Sequence, residues 1–231
     1  MNNFVHLHVH SDYSLLDGAA SIDSLVSKAA ENKMSHLALT DHGSMFGAVA
    51  FYNACQSQGI SPIIGSEFYI ADGSRHDRGQ NVSGQIRTKS RAFHMGLIAY
   101  NELGYKNLIQ LSTLAFTEGF YYRARIDEEI LTEHISGLIG FSGCLAAKIP
   151  SLLIDGHFLE ATDLAGKYQE LFGKGNFFLE LQDHGIDEQR MVNEALLKIH
   201  KKTGIPLVLS LIHISEPTRR TPISYAVFCL K

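Results

Sequence analysis

The 231-residue chain contains no tryptophan, only five prolines and only three cysteines. The cysteines, Cys55, Cys144 and Cys229, are odd in number and far apart, which argues against a disulfide framework and predicts reduced thiols. No hydrophobic run reaches the roughly 18 residues of a membrane span, and the N-terminus, MNNFVHLHVH, lacks the pattern of a secretory signal. These absences predict a cytoplasmic protein without membrane contact.

The chain also lacks a strong excess of charge, since its formal net charge at pH 7 is −4. Binding to nucleic acid would therefore depend on a local basic patch or on bound cations. What the chain has in abundance is histidine, with 12 residues. Because histidine is the commonest metal ligand, this abundance makes a metal site worth searching for.

Short strand-like segments alternate with helical segments over most of the chain. The helical pattern is clear after Ser21, where Ile22, Leu25, Val26 and Ala29 recur at the spacing of one buried helix face. The predicted strands are 4–9, 36–40, 62–70, 94–100, 137–143, 176–181 and 205–209, and the predicted helices lie within 22–33, 48–58, 102–117, 145–172 and 187–204. This alternation predicts parallel βαβ units in an α/β fold.

Parallel βαβ units form either an open doubly wound sheet or a closed barrel. No G-x-G-x-x-G or Walker sequence follows a predicted strand, which disfavours the open sheet and its phosphate loop. Polar residues instead follow several different strands, as they do at the C-terminal face of a (β/α) barrel. We therefore predict a barrel.

Side chains of the types that bind metals follow many of these strands. They are His8 and His10, Asp41 and His42, Glu67, Cys144, and Asp183 with His184. The two imidazoles of an H-x-H pair point to the same side of a strand and can hold one ion or bridge two. Asp17, in LLDG, could return a carboxylate to the same place. Together His, Asp, Glu and Cys suit Zn²⁺ or Mn²⁺ better than Mg²⁺, which prefers oxygen ligands.

Several of these residues have a simpler interpretation. His6 shares the face of His8 and His10 but lies deeper in the strand, so it is equally a core histidine or a ligand. Asp41 is as consistent with orienting His42 or capping a helix as with binding an ion. Cys144 alone would be a small buried hydrophobe. GFSGC lacks the last glycine of G-x-S-x-G, so a serine-hydrolase elbow is not supported.

The segment 72–91 is rich in glycine, serine and basic residues. Its cations are Arg75, Arg78, Arg87, Lys89 and Arg91. One interpretation is a mobile solvated loop, and the other is an arm that contacts the phosphates of DNA beside the metal site.

Five segments together resemble one known family, in the expected order. They are FVHLHVHSDYSLLDGAA, LTDHGSMFGAVAFYNAC, GISPIIGSEFYIA, GYKNLIQLSTLAFTEGFY and FFLELQDHG, and they resemble the PHP domain (polymerase and histidinol phosphatase) at the N-terminus of bacterial replicative DNA polymerase III alpha subunits. The resemblance covers about residues 3–208. It implies a distorted (β/α)7 barrel with two or three divalent ions at its C-terminal face.

The resemblance also implies which residues bind the ions and what they do. Matched by motif, the family's ligands fall on His8, His10, Asp17, His42, Glu67, His94 and Cys144. His94 enters from the resemblance alone, because the start of a strand is the wrong end for a barrel site. The implied chemistry is 3′–5′ exonuclease hydrolysis at the primer 3′ end of DNA, and the implied partners are the rest of the polymerase and replisome subunits.

Two other functions remain open at this stage. One is a small-molecule phosphoesterase of the histidinol-phosphatase type, although the segment 101–127 matches the polymerase form. The other is a non-catalytic PHP module that braces a polymerase, as in family members that have lost ligands. Bound transition metal in the purified protein would distinguish this last function from the first two.

The final segment, LSLIHISEPTRRTPISYAVFCLK, departs from the family. The family continues with T-N-D-x-H, whereas Ile212 and Ile214 occupy the positions of its last two ligands and His213 is out of phase. The segment resembles the translated read-through of a sequencing adapter. We therefore predict a PHP metal-binding domain over 1–209, incomplete at its C-terminal end, followed by a non-native tail over 210–231, with a natural tail as the alternative.

Overall fold

The computed structural model describes residues 4–15, 17–78, 91–183 and 185–210. Its helices are α1 (Ile22–Glu31), α2 (Ala48–Ser57), α3 (Glu102–Thr117), α4 (Glu128–Glu133), α5 (Lys148–Ile154), α6 (Phe158–Phe172) and α7 (Asp187–Thr203). Its strands are β1 (His36–Leu39), β2 (Ser61–Ala71), β3 (Ala92–Ala99), β4 (Arg125–Ile126), β5 (Leu138–Phe141), β6 (Phe177–Leu181) and β7 (Leu207–Leu209). Within these residues no helix is long and apolar enough to cross a membrane.

The strands form one curled sheet with helices packed against it. Their order is β1-β2-β3-β5-β6-β7, and β4 pairs with β2 outside this path. Strands β1 and β2 are parallel, as are β5, β6 and β7 in sequence, while β3 runs antiparallel to both β2 and β5. The prediction of an incomplete PHP-type (β/α) barrel is confirmed, but its sheet is mixed rather than purely parallel.

The reversed direction of β3 changes the interpretation of His94. In the register of β2 and β3, Tyr69 lies opposite His94 and Ala71 lies opposite Ala92. The start of β3 therefore lies beside the carboxyl end of β2. The expectation that a residue at the start of this strand lies at the wrong end of the barrel is wrong, because that expectation assumed parallel strands throughout.

The prediction of a regular first strand over residues 4–9 is also wrong. The segment 4–10 runs beside β1, where the Ala38 amide donates to the His6 carbonyl at 2.9 Å and the Thr40 amide donates to the Val9 carbonyl at 2.8 Å. These bonds are too few for a regular ladder, so the segment is extended without strand structure. It nevertheless carries its histidines along the end of β1.

Two apolar clusters hold the elements together. The larger one joins the central strands to α3–α7, and the smaller one packs α1 and α2 against β1 and the N-terminal segment. Ser21 caps α1 by accepting a hydrogen bond from the Ser24 amide at 3.3 Å. Between α3 and β5 the backbones approach so closely that a Cβ on Gly104 would lie 1.9 Å from the Gly137 carbonyl oxygen.

Candidate metal centre

The sequence-predicted ligands converge on Glu67, a fully buried carboxylate in β2. Its Oε2 lies 3.4 Å from His8 Nε2, 3.2 Å from His10 Nε2 and 3.0 Å from His42 Nδ1. Its Oε1 lies 3.1 Å from His94 Nδ1. One carboxylate thus faces four imidazoles that come from the N-terminal segment, the end of β1 and the start of β3.

Asp17 and Cys144 lie at the edges of this cluster. Asp17 Oδ2 lies 2.9 Å from His10 Nδ1 and 2.9 Å from His42 Nε2. The Cys144 Sγ lies 3.4 Å from both Glu67 Oε1 and His94 Nδ1. The structure therefore brings together all seven residues that the family resemblance implies as ligands.

Three sets of ligand atoms within this cluster lie close enough to share an ion. They are His8 with His10 and Glu67, His10 with Asp17 and His42, and His42 with Glu67 and His94, and within each set the atoms are at most 4.8 Å apart. The sets share residues, as expected for neighbouring ions that are bridged by common ligands. The number of bound ions stays the prediction of two or three that the family resemblance implies.

The chemistry of these atoms fits bound cations. His8 Nε2, His42 Nδ1 and Glu67 Oε2 are buried, and none makes a hydrogen bond within the described residues. Buried polar atoms without hydrogen-bond partners are costly, unless a group such as a metal ion satisfies them. Imidazole and carboxylate groups together are common ligands of divalent metal ions.

The charges in the metal-free cluster are strongly coupled. Burial opposes protonation of His8 and His42, but nearby carboxylates outweigh it, so the pKa of His8 lies well above its usual range and that of His42 rises to about 9. Burial likewise opposes ionisation of Glu67, yet the positive charge of His8 and the imidazoles of His10 and His42 beside the carboxylate hold its pKa well below its usual range. Without a metal, protons on the imidazoles thus balance the buried carboxylates.

Glu180, a residue that the sequence reasoning missed, supports His8 from behind. It is buried in β6, and its Oε1 lies 2.7 Å from His8 Nδ1, which leaves Nε2 directed towards Glu67. The Gln182 amide donates to Glu180 at 2.9 Å, and the Ser210 hydroxyl also hydrogen-bonds to it. Such partners fix the orientation of a ligand imidazole. The only sequence signal is a carboxylate inside the apolar run NFFLEL.

Asp41 supports the site without facing the other ligands. Its carboxylate accepts hydrogen bonds from the Ser11 amide at 2.6 Å and from the Ser14 hydroxyl at 3.1 Å. That hydroxyl in turn accepts from the His42 amide at 2.8 Å. This geometry agrees with the orienting role that the sequence left open.

Two other residues that the sequence suggests as ligands, His6 and Asp183, lie apart from the cluster. His6 is buried, packs edge-on against Phe4 at 4.7 Å, and has a pKa lowered to about 4 by burial, as expected for a neutral core histidine. Asp183 is exposed and accepts a hydrogen bond from the Gly185 amide at 3.0 Å. His184 lies outside the described residues.

Two arginines of the basic segment, Arg75 and Arg78, are bound within the fold and are not free to contact DNA. Arg75 is held by Glu118 at 2.7 Å, Asp127 at 3.1 Å and Glu129 at 2.7 Å. Arg78 donates to the Glu118 carbonyl at 2.8 Å. Arg75 and Arg78 thus contribute to internal contacts. The other three cations differ: Arg91 is exposed, with its guanidinium 5.2 Å from the Phe93 ring, and Arg87 and Lys89 lie outside the described residues.

The curled barrel and its histidine-carboxylate cluster define the class of the domain. The family model for the PHP domain matches residues 6–184, so the chain belongs to the PHP domain family. Its curated relatives include the DNA polymerase III subunit alpha of Treponema pallidum, 48% identical over 93% of the chain and 18% of that protein. The subunit of the same name from Borreliella burgdorferi is 47% identical over 89% of the chain and 17% of that protein.

The chain therefore spans less than a fifth of the length of these relatives. Among solved structures, a two-domain protein from Bacteroides vulgatus, containing a predicted PHP-like metal-dependent phosphoesterase, matches with a TM-score of 0.53. The identity is 16%, over 90% of this chain and 51% of that chain. This likeness shows the fold.

Proposed function

We propose that this chain is the PHP domain of a DNA polymerase III alpha subunit and that it hydrolyses phosphodiester bonds as a metal-dependent 3′–5′ exonuclease on DNA. The observation that carries the proposal is the convergence of three ligand sets on one end of the barrel. Polymerase relatives that match about nine-tenths of the chain support the assignment to this kind of protein. Polymerisation by the longer protein, replisome partners and a cytoplasmic location belong to the same proposal.

The ligands for two or three Zn²⁺ or Mn²⁺ ions are His8, His10, Asp17, His42, Glu67, His94 and Cys144. Such ions activate water at neutral pH and stabilise the charge on the attacking and leaving oxygens of a phosphodiester. The Cys144 thiol lies 3.4 Å from His94 Nδ1, but burial and the charge of Glu67 raise the pKa of this thiol well above its usual range. A reactive cysteine needs a lowered pKa, so attack by water is the reaction that fits this centre.

The protein's own contribution is to hold these ligands and to give access from one side. Glu180 orients His8, and the buried Glu67 occupies the centre of the cluster. Asp17 is one-third exposed and His42 is partly exposed, whereas His8, His10 and Glu67 are covered. A phosphodiester is therefore expected to approach beside Asp17 and His42.

The test uses the purified 231-residue chain and a 5′-labelled single-stranded oligonucleotide with Mn²⁺ or Zn²⁺. We expect a ladder shortened from the 3′ end, and we expect the variant His8→Ala with His10→Ala to lose it. The matched control, His36→Ala with His157→Ala, removes two exposed histidines and should degrade the strand as the wild type does.

Two results would contradict the proposal: no metal-stimulated cleavage by the wild type, or cleavage retained by the His8 and His10 double variant. Elemental analysis of the same preparations then separates the other functions. Bound metal without cleavage of DNA, but with hydrolysis of a phosphomonoester, would favour a small-molecule phosphoesterase. Absence of bound transition metal would favour a non-catalytic module.

A further inference from the structure

Three phenylalanine rings form an exposed row on the surface of the domain. Phe46, Phe116 and Phe120 expose 68%, 39% and 53% of their surface. The rings of Phe46 and Phe116 are 5.5 Å apart between centroids, and those of Phe116 and Phe120 are 6.3 Å apart. Phe46 follows His42 by four residues, and Phe116 and Phe120 lie at the end of α3 and just after it. Exposed rings in such a row normally indicate a binding surface.

An exposed arginine contacts a tyrosine ring that stacks on one of the proposed metal ligands. Arg123 follows Phe120 by three residues, and its guanidinium is 4.7 Å from the centroid of the Tyr69 ring. Tyr69 in turn stacks on His42, with centroids 5.6 Å apart and an interplanar angle of 16°. A continuous series of contacts thus joins Arg123 to a proposed ligand.

Arg123 differs from the neighbouring arginines because, within the described residues, its guanidinium contacts an aromatic ring and not a carboxylate. Within the described residues, no carboxylate forms an ion pair with it, whereas Arg75 is bound by three carboxylates. The Arg125 guanidinium is buried and donates to the carbonyls of Arg75 and Asp77. A guanidinium that is exposed and unneutralised beside a metal centre is suited to binding a phosphate.

We propose that Phe46, Phe116, Phe120 and Arg123 bind single-stranded nucleic acid and direct its end into the metal centre. The proposal rests on the proposed function and names how that site would hold its substrate. Bases stack on exposed aromatic rings whatever their sequence, while a cation holds the backbone. The free charge of Arg123 favours a nucleic acid over an apolar protein partner, and it supplies locally the positive charge that a chain of net charge −4 lacks overall.

Binding is tested without metal, so that hydrolysis plays no part in the result. A fluorescein-labelled ten-nucleotide oligothymidylate is titrated with the 231-residue chain in EDTA, and anisotropy gives the Kd. We expect Phe46→Ala and Phe120→Ala each to raise the Kd about fivefold or more, since one base stack contributes roughly that factor at the least. Phe120→Trp, which keeps the stacking surface, should restore binding.

Two further variants test the role of the Arg123 charge and the location of the binding surface. Arg123→Gln should raise the Kd and lower the magnitude of the slope of log Kd against log salt by about 0.7, the value for one phosphate contact on a single strand. Arg123→Lys should restore the slope. Leu103→Ala truncates an exposed residue in the first turn of α3, about 20 Å from Phe116 along the helix, and should leave the Kd within twofold of the wild type.

The proposal is overturned if the wild type does not bind the strand, or if the ring truncations leave the Kd unchanged, which is the result expected of a protein-docking surface. Hydrolysis of bis(p-nitrophenyl) phosphate with Mn²⁺ separates this failure from failure of the proposed function, because that diester carries no nucleotide strand that could lie along the row. Hydrolysis of the diester without binding of the oligonucleotide refutes only the proposal that the phenylalanine row and Arg123 bind nucleic acid. Strand binding without hydrolysis refutes the catalytic function alone.

Discussion

Substitution of Glu67 by glutamine should remove most of the stabilisation that divalent ions give this domain. Glu67 contributes to two of the three ligand sets, so the variant keeps only the set of His10, Asp17 and His42. An ion at 100 times its Kd stabilises a folded protein by about 2.7 kcal/mol. In a domain of this size, each kcal/mol raises the Tm by about 2–4 °C, so one ion corresponds to roughly 5–11 °C.

The assay is thermal unfolding with and without Mn²⁺, with each protein compared with its own metal-free form. With two or three ions bound, the wild type should gain at least about 10 °C, and Glu67→Gln should lose at least half of its gain. The exposed Glu133 on α4 offers a matched control, and Glu133→Gln should keep the full shift. An equal shift in Glu67→Gln and the wild type would refute the reasoning.

Two further predictions concern the stability of the fold. Asp127→Asn should lower the free energy of unfolding in urea at pH 7 by about 2 kcal/mol, because the buried Asp127 loses the charge that strengthens its hydrogen bonds to Arg75. The pKa of Asp127 lies below its usual range, because hydrogen bonds from the Arg75 and Ile130 amides and the charge of Arg75 outweigh the effect of burial. The difference in free energy of unfolding between the wild type and the variant should therefore be full above about pH 4 and should shrink as the pH falls below that value. A difference that does not change with pH would contradict this prediction. Gly104→Ala should destabilise the protein, because the added Cβ would lie 1.9 Å from a backbone oxygen. Gly166→Ala on α6 should stabilise the protein by about 1 kcal/mol, because nothing lies within contact of the added Cβ and alanine favours the helix. Urea midpoints in the opposite order would refute the packing argument.

Local patterns predict most of the elements and most of the candidate ligands. The helices α1, α2, α3 and α7 fall within the predicted segments because their apolar faces follow the helical period. The spacing of residues after strands points to His8, His10, Asp17, His42, Glu67 and Cys144, which the structure gathers into one cluster. The carboxyl ends of the parallel strands meet at one end of a barrel, so the position of these residues along the chain is sufficient to predict that they lie together.

The failures arise where distant pairing decides the outcome. The direction of β3 depends on its contacts with β2 and β5, and no local pattern encodes it, so His94 could not be placed by spacing. Strand β4 has two residues, too few for a periodic signal. Glu180 resembles an outward-facing strand residue, and its burial depends on His8, which is 172 positions away.

The most direct test of the central claim is the anomalous scattering from crystals of the 231-residue chain grown with Mn²⁺ or Zn²⁺. We predict two or three anomalous peaks inside the cluster, each within about 2.5 Å of ligand atoms from His8, His10, Asp17, His42, Glu67, His94 or Cys144. Crystals of Glu67→Gln should lose the peaks that this carboxylate shares. Ions bound only at the protein surface, with none in the cluster, would contradict the account.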